Sequence, residues 1–591
     1  LSRPWWLSGR ATAFRWLPVK QQKRDNGATF YFSLLTFHFS LLNKLTGEIM
    51  PTYDVIIRNG TIYNGRGTEP INGDVALSGD RIAAVGEVSG SGRIEIDASG
   101  LAVAPGFINM LSWAVESLIH DGRSQSDIRQ GVTLEVMGED FSFGPLTPAM
   151  RDKGLKAILN NPDITYEIPW LTLGEYLTHL ENKGVSCNVT SFVGLGTLRR
   201  HAVGEVDRQP TAAELQLMKD LVHQAMQEGA VGLSAALIYP PSAYVKTDEI
   251  IELAKVVSEY DGLYISHLRS EGALFLDALE EFITIVKEAD VRGEVYHLKA
   301  AGHHNWDKLD AAVARIERAR RDERLPITAD MYTYRASGTD LNATLPPWAH
   351  DGGLEALLAR LRDPETRERI KKDMNSHGHA WENMWLGPPT FDDMLLAGFG
   401  KPEMKHLTGL TLQQVANQRG TAPDETCLDL LLEAGGKIFT IYFTMDEANV
   451  RKQIGLPWVS FCSDAESLAP EGAFLKTNPH PRAYGSFARL LGHYVREEQL
   501  TTLTDAIRRL TSFPASVLKL KDRGVLEEGY LADVVVFDPD TIADKATFDR
   551  PHQYAVGMHH VFVNGKQVLK DGQHTGAMPG RFVKGPGGRG N

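Results

Sequence analysis

Between Val103 and Asp464 the chain carries eight short apolar runs that read as buried strands. The predicted strands are Val103 to Met110, Val132 to Gly138, Cys187 to Gly194, Ala230 to Ala236, Gly262 to His267, Glu294 to Lys299, Pro326 to Tyr332 and Pro457 to Asp464. Helical periods lie between most of them, as at Ala213 to Glu228 and Asp248 to Tyr260, where apolar residues recur at three-and-four spacing. Eight such units predict an α/β fold built on a TIM-like (β/α)8 barrel, with its chemistry at the C-terminal ends of the strands. An open, doubly wound sheet is the alternative. More than 120 residues separate the seventh and eighth strands, including Leu345-Pro346-Pro347-Trp348. A connection that long predicts a lid or inserted subdomain, placed at about 335–435.

The two ends of the chain have a different texture. Tyr53 to Gly60, Gly73 to Leu77 and Arg81 to Gly86 alternate apolar and polar residues between Asn-Gly and Gly-Asp turns, and Asp533 to Asp538 and His560 to Gly565 do the same near the C-terminus. Period two with such turns means hairpins. Strand-rich ends around a long barrel predict one small β-sandwich domain made from both, residues 50–104 and 521–583, with the barrel at 105–520 and a flexible tail at 584–591.

Residues 1–49 fit neither part. They begin with Leu1 and hold seven basic residues against two acidic ones, and their apolar patch from Phe30 to Leu42 is too short and too polar to span a bilayer. The preferred reading is sequence upstream of a start at Met50, which makes the protein cytoplasmic; a secretion leader is the alternative. The whole chain carries a formal charge of -13 and no basic stripe, which argues against a nucleic-acid partner, and no segment argues for a membrane. Its three cysteines, Cys187, Cys427 and Cys462, cannot build a disulfide framework or an all-cysteine zinc site.

Chemistry gathers at the predicted strand ends. The fifth strand ends in Ser266-His267-Leu268-Arg269, the sixth in His297-Leu298-Lys299, the seventh in Asp330-Met331-Tyr332 and the eighth in Cys462-Ser463-Asp464. Two imidazoles and a carboxylate aimed at one barrel mouth suit a zinc ion that keeps an open coordination position.

From Tyr53 to Val583 the chain resembles the amidohydrolase superfamily and, within it, the N-acyl-D-amino-acid deacylases (D-aminoacylases). The resemblance is carried by Ala104-Pro105-Gly106-Phe107-Ile108, Gly229 to Ser234 with Ile238-Tyr239-Pro240-Pro241, Ser266 to Gly272, Leu345 to Ala349, His480-Pro481-Arg482 and Gly529 to Pro539. It implies a metal-dependent barrel hydrolase acting on a small N-acyl amino acid. It also implies His267 and His297 as metal ligands, and Asp464 as the carboxylate that takes a proton from the activated water and hands it to the leaving amine. Lys299, Tyr332 and Arg482 fall where the family holds the substrate carboxylate and the scissile carbonyl.

Three departures alter that expectation. Where the family has His-x-His after the first strand, this chain has Leu111 and Trp113; the family's second-strand cysteine ligand gives way to Glu139 or Asp140; and Leu195 stands where a histidine follows the third strand. Oxygen is an acceptable zinc ligand, so either carboxylate can serve. The remaining set predicts one Zn2+ per chain rather than two, and Leu111 and Trp113 predict a more apolar mouth and a greasier acyl group. The expected activity is hydrolysis of a linear amide. Opening of a cyclic amide or imide, or a degenerate binding protein, are the alternatives.

Overall fold

The computed structural model describes residues 52–153, 164–377 and 381–588, so the expectation for residues 1–49 lies outside the described residues. Eight parallel strands form the centre: Phe107–Ser112, Val132–Met137, Asn188–Ser191, Gly232–Ala236, Leu263–His267, Arg292–Val295, Ile327–Met331 and Val459–Phe461. The first three pair as one sheet, and the fourth to eighth, with the short Val193–Gly194, pair as another. Backbone hydrogen bonds join the two sheets on both sides. Asp464 N donates to Leu111 O (2.9 Å) and Trp113 N to Ala465 O (3.0 Å), tying the eighth strand to the first, while Val231 N donates to Ser191 O (3.1 Å), tying the fourth to the third. The result is the (β/α)8 arrangement.

The predicted first strand, Val103 to Met110, is in fact two. Ala102–Pro105 belongs to the terminal sheet and Phe107–Ser112 to the barrel. The break falls at Gly106, where a Cβ would sit 2.1 Å from Thr133 Oγ1, so only glycine lets the chain pass from one sheet to the other. The sixth strand also ends early, at Val295, because the next residues turn: His297 has φ +32° and its N–H donates to Asp330 Oδ1 (2.8 Å).

The helices follow their sequence signals. Ala212–Glu228 opens with a capping box, in which Thr211 Oγ1 accepts from Glu214 N (3.3 Å) and Glu214 Oε2 accepts from Thr211 N (2.7 Å), and closes at the left-handed Gly229. Its buried face is Met218, Leu221, Val222, Ala225 and Met226. Each of the larger side chains, Met218, Leu221, Val222 and Met226, contributes roughly 1.5–3 kcal/mol by leaving water. Residues 584–588, expected as part of a tail, lie at the end of this helix, with Gly585 N donating to Gly229 O (2.8 Å).

The two chain ends meet in one nine-stranded sheet. Val534–Phe537 pairs antiparallel with Ala102–Pro105, and period two divides its residues between two cores. Val534 and Val536 face Val55, Ile57, Val75 and Phe562 within the small domain. Val535 and Phe537 face the main core, where Phe537 meets Phe107 edge-on at 6.3 Å. Between the seventh and eighth strands, Ser337–Asp340, Ile438–Tyr442 and Met394–Phe399 form a separate antiparallel sheet. Four helices and the core of Leu357, Leu361, Leu396, Phe399, Leu428, Leu431 and Tyr442 accompany it. No helix among the described residues is long and apolar enough to cross a membrane.

The sixth strand carries Glu294, fully buried among the barrel strands, where Thr328 Oγ1 (2.7 Å) and Ser460 Oγ (3.4 Å) donate to its carboxylate. Burial, with Asp330 nearby, pushes this carboxyl up to about 8. The folded state therefore binds the proton more tightly than the unfolded chain, whose glutamates titrate near ~4.3. This stabilisation is complete below that value and is lost as pH rises through 8. Glu294→Gln is expected to flatten the fall in unfolding free energy between pH 6 and 9, measured by urea denaturation at both pH values. An unchanged fall would place that titration elsewhere.

Candidate metal centre and active site

Strand alternation aims the fifth strand's residues. Leu263 and Ile265 lie in the inner barrel core and His267, two further on, continues the same face at the rim. On the second strand Gly138 takes φ +101°, and a Cβ there would come 2.5 Å from Phe192 O. That turn brings Glu139 over the mouth. Glu139 Oε1 then lies 3.1 Å from His297 Nε2 and 3.4 Å from His267 Nδ1, and the two imidazoles meet edge-to-face with centroids 4.5 Å apart. All three side chains are buried, and their ligand atoms fall within 4.8 Å of one another, the only such cluster found among the described residues.

Asp140, weighed equally with Glu139 from the sequence, points elsewhere. Its Oδ1 accepts from Gly196 N (3.1 Å), Ala236 N (3.1 Å) and Ser242 Oγ (2.6 Å), knitting together the start of a helix, the end of the fourth strand and the turn at Ser242. Burial raises its carboxyl to about 6 while Ser242 and the backbone donors oppose the rise. Asp140 itself takes φ +54°, so the chain turns between the two residues and carries the Asp140 side chain away from the histidines.

Glu271 completes the cluster, and sequence reasoning gave it no role although it stands four residues after His267. Its Oε1 lies 2.6 Å from Lys299 Nζ and 3.1 Å from His297 Nδ1, and its Oε2 lies 3.3 Å from His267 Nε2. Lys299 Nζ is also 2.7 Å from His297 Nδ1. Among these charges burial alone would depress the histidines, yet the carboxylates win: His267 is raised, chiefly by Glu271, and His297 is raised to about 10. Burial would raise both carboxyls, but their contacts to the imidazoles hold Glu139 and Glu271 well below the usual carboxylate range.

Across the same cavity, of about 410 Å³, stand Asp464, Tyr332 and Arg482. Asp464 has φ +48°, a conformation an aspartate tolerates, and is held at the rim by the hydrogen bond to Leu111 that closes the barrel. Its Oδ2 is 2.8 Å from Arg482 Nη1, a charge contact without hydrogen-bond alignment. Burial raises the Asp464 carboxyl and Arg482 opposes that rise. Arg482 opens the helix Arg482–Arg489; its N–H donates to His480 Nδ1 (3.0 Å), and His480 Nε2 is left to donate to Ala336 O (3.0 Å). Its guanidinium lies over the Tyr332 ring at 4.5 Å, and Lys299 Nζ faces that ring from 5.8 Å. Arg482 Nε and Nη1 are buried without a hydrogen-bond partner.

Trp113 lines the cavity and its indole N–H donates to Glu139 Oε2 (3.0 Å). Leu111 does not line it: that side chain is wholly buried in the inner core. The apolar wall comes instead from the insertion, through Leu345, Leu354, Met384 and Phe439, which reach the barrel only in three dimensions.

Comparison with known proteins now decides the family. Residues 476–569 match the model of the amidohydrolase family. The D-aminoacylase of Alcaligenes xylosoxydans xylosoxydans is 32% identical over 538 residues, covering 90% of this chain and 97% of its own. The chain is a member of the D-aminoacylase family of amidohydrolases. The crystal structure of the N-acyl-D-glutamate deacylase of Bordetella bronchiseptica, complexed with zinc and a phosphonate mimic of the tetrahedral intermediate, superimposes with a TM-score of 0.75 at 31% identity. That match covers 90% of this chain and 100% of that one. A D-aminoacylase structure described by its binuclear metal centre, with one-metal activation and second-metal attenuation, gives a TM-score of 0.74 at 31% identity and the same coverage. For this D-aminoacylase relative, Glu139→Ala is expected to lower zinc affinity by more than the ~10- to 100-fold typical of an outer-shell change. Asp140→Asn should leave affinity within a few-fold. Metal content after dialysis and competition with a chelator measure both, and the reverse pattern would exchange their roles.

Proposed function

We propose that this chain is a zinc-dependent deacylase of N-acyl-D-amino acids that holds one ion between Glu139, His267 and His297. The observation that carries the reading is this buried triad set in one cavity with the guanidinium of Arg482, whose Nε and Nη1 have no hydrogen-bond partner. Two imidazoles and one carboxylate are a donor set that zinc accepts, with a coordination position left open. When bound, the ion supplies Lewis-acid charge and acidifies water.

The protein's own groups account for the remainder. Arg482 offers a planar fork to the substrate carboxylate, with Tyr332 and Lys299 on the same wall to orient it and the scissile carbonyl. Asp464, desolvated and paired with Arg482, takes a proton from the water that attacks the acyl carbon. It returns that proton to the amine nitrogen as the C–N bond breaks, releasing a carboxylic acid and a free amino acid. The apolar insertion residues Leu345, Leu354, Met384 and Phe439 receive the acyl chain.

Trp113 favours a single ion. Its N–H occupies the second oxygen of Glu139, and neither Trp113 nor Leu111 offers an imidazole to a second ion. The D configuration rests on the relatives, which are D-aminoacylases and N-acyl-D-amino-acid deacylases over nine-tenths of the chain. They likewise favour a linear over a cyclic amide.

Elemental analysis of protein reconstituted with zinc should give close to one ion per chain, and chelation should abolish hydrolysis of N-acyl-D-amino acids until zinc is returned. Two tightly held ions would refute the role given to Trp113. Asp464→Asn should fold, keep its zinc and lose at least ~10²-fold in turnover, because the amide cannot accept the proton. Turnover within a few-fold of the parent would remove Asp464 from the proton path.

A further inference from the structure

We infer that Glu271 is a positioning residue that fixes the two histidines by accepting from their far nitrogens, so that the near nitrogens are presented together to an ion at Glu139. The inference rests on the reading of Glu139, His267 and His297 as the ion site. Each imidazole lies between the two glutamates. His267 turns Nδ1 toward Glu139 Oε1 (3.4 Å) and Nε2 toward Glu271 Oε2 (3.3 Å). His297 turns Nε2 toward Glu139 Oε1 (3.1 Å) and Nδ1 toward Glu271 Oε1 (3.1 Å). A neutral imidazole has one N–H and one lone pair. For both near nitrogens to present lone pairs, both far nitrogens must carry the proton, and one carboxylate is placed to accept from both. His267 Nε2 is buried and makes no aligned hydrogen bond to any group, so its 3.3 Å approach to Glu271 Oε2 is a charge contact.

The surroundings hold Glu271 to this task. Ala301 N donates to its backbone carbonyl (2.7 Å), and the turn that carries it is gripped by Glu382 of the insertion, whose Oε2 accepts from Ser270 Oγ (2.5 Å) and Gly272 N (3.3 Å). Lys299 Nζ, 2.6 Å from Glu271 Oε1, balances the charge. An ammonium and an imidazole N–H cannot point at each other. Once His297 Nδ1 carries the proton, the Lys299 ammonium must turn from that nitrogen toward Glu271 and the cavity, where the proposed substrate carboxylate lies.

The test uses the full chain and zinc itself. Zinc affinity is measured by competition with a chelator for the parent, Glu271→Gln, Glu271→Asp and Glu139→Ala, alongside visible spectra of the cobalt-substituted proteins and melting curves of the metal-free ones. The expected result is a parent that binds one ion and a Glu271→Gln affinity lower by ~10- to 100-fold, the range for an outer-shell partner of a ligating histidine. Stoichiometry should be unchanged, the cobalt spectrum shifted and Glu271→Asp intermediate. A merely structural role would move the melting curve and leave the cobalt spectrum alone, which overturns the inference. So does a Glu271→Gln affinity and spectrum matching the parent, while leaving the ion site standing. A parent that binds no zinc overturns the ion site and the inference together. If Glu271→Gln does not fold, Glu271→Asp decides by the same two readouts.

Discussion

A carboxylate taken out of water must be met by positive charge or give up its own, and the centre of this protein is arranged around that requirement. Glu139 and Glu271 are both about 5% exposed, and between them stand two imidazoles and a lysine. The cations hold both acids ionised, and the acids hold both imidazoles ready to be protonated. A divalent ion placed at Glu139 is a substitution of one positive charge for others, so binding should release protons. The same logic operates at Asp464, where burial raises the carboxyl and the Arg482 guanidinium, 2.8 Å away, opposes that rise.

Barrel closure makes this cluster possible. Asp464 is positioned by the backbone bond from its N–H to Leu111, and Trp113 by its own bond to Ala465. These are the bonds that tie the eighth strand to the first. The contact that orients Glu139, the proposed carboxylate ligand, and the placement of the proposed base are therefore two products of one seam. The seam also explains how the chain accommodates the loss of the first-strand histidines. The tryptophan supplies a hydrogen bond to Glu139 where an imidazole would offer a lone pair to a metal.

The insertion contributes more than a cover. Its sheet and helices have their own apolar core, yet it sends residues inward at two levels. Leu345, Leu354, Met384 and Phe439 form cavity wall, whereas Glu382 grips the turn that carries Glu271. The cavity wall and the turn that carries Glu271 are thus linked through one inserted segment, although its residues are far in sequence from both.

Period and spacing were enough to read eight strands, the strand-rich ends, and His267, His297 and Asp464 as a group at one rim, because strand alternation and rim position are local properties of the chain, whereas the roles of Lys299, Tyr332 and Arg482 came from the family resemblance. Local pattern could not divide Val103 to Met110 between two sheets, since both halves are apolar and the break is imposed by Thr133 pressing on Gly106 from another strand. Nor could it choose between Glu139 and Asp140, which are chemically alike and differ only in which way the turn after Gly138 faces them. Glu271 was visible only as part of a motif, because its meaning lies in distances to His267, His297 and Lys299 across two strand ends. The sequence by itself determined the repeating architecture and the kinds of ligand present. Tertiary structure alone decided which carboxylate meets the imidazoles, since burial, charge pairing and side-chain direction are properties of elements brought together and not of any one segment.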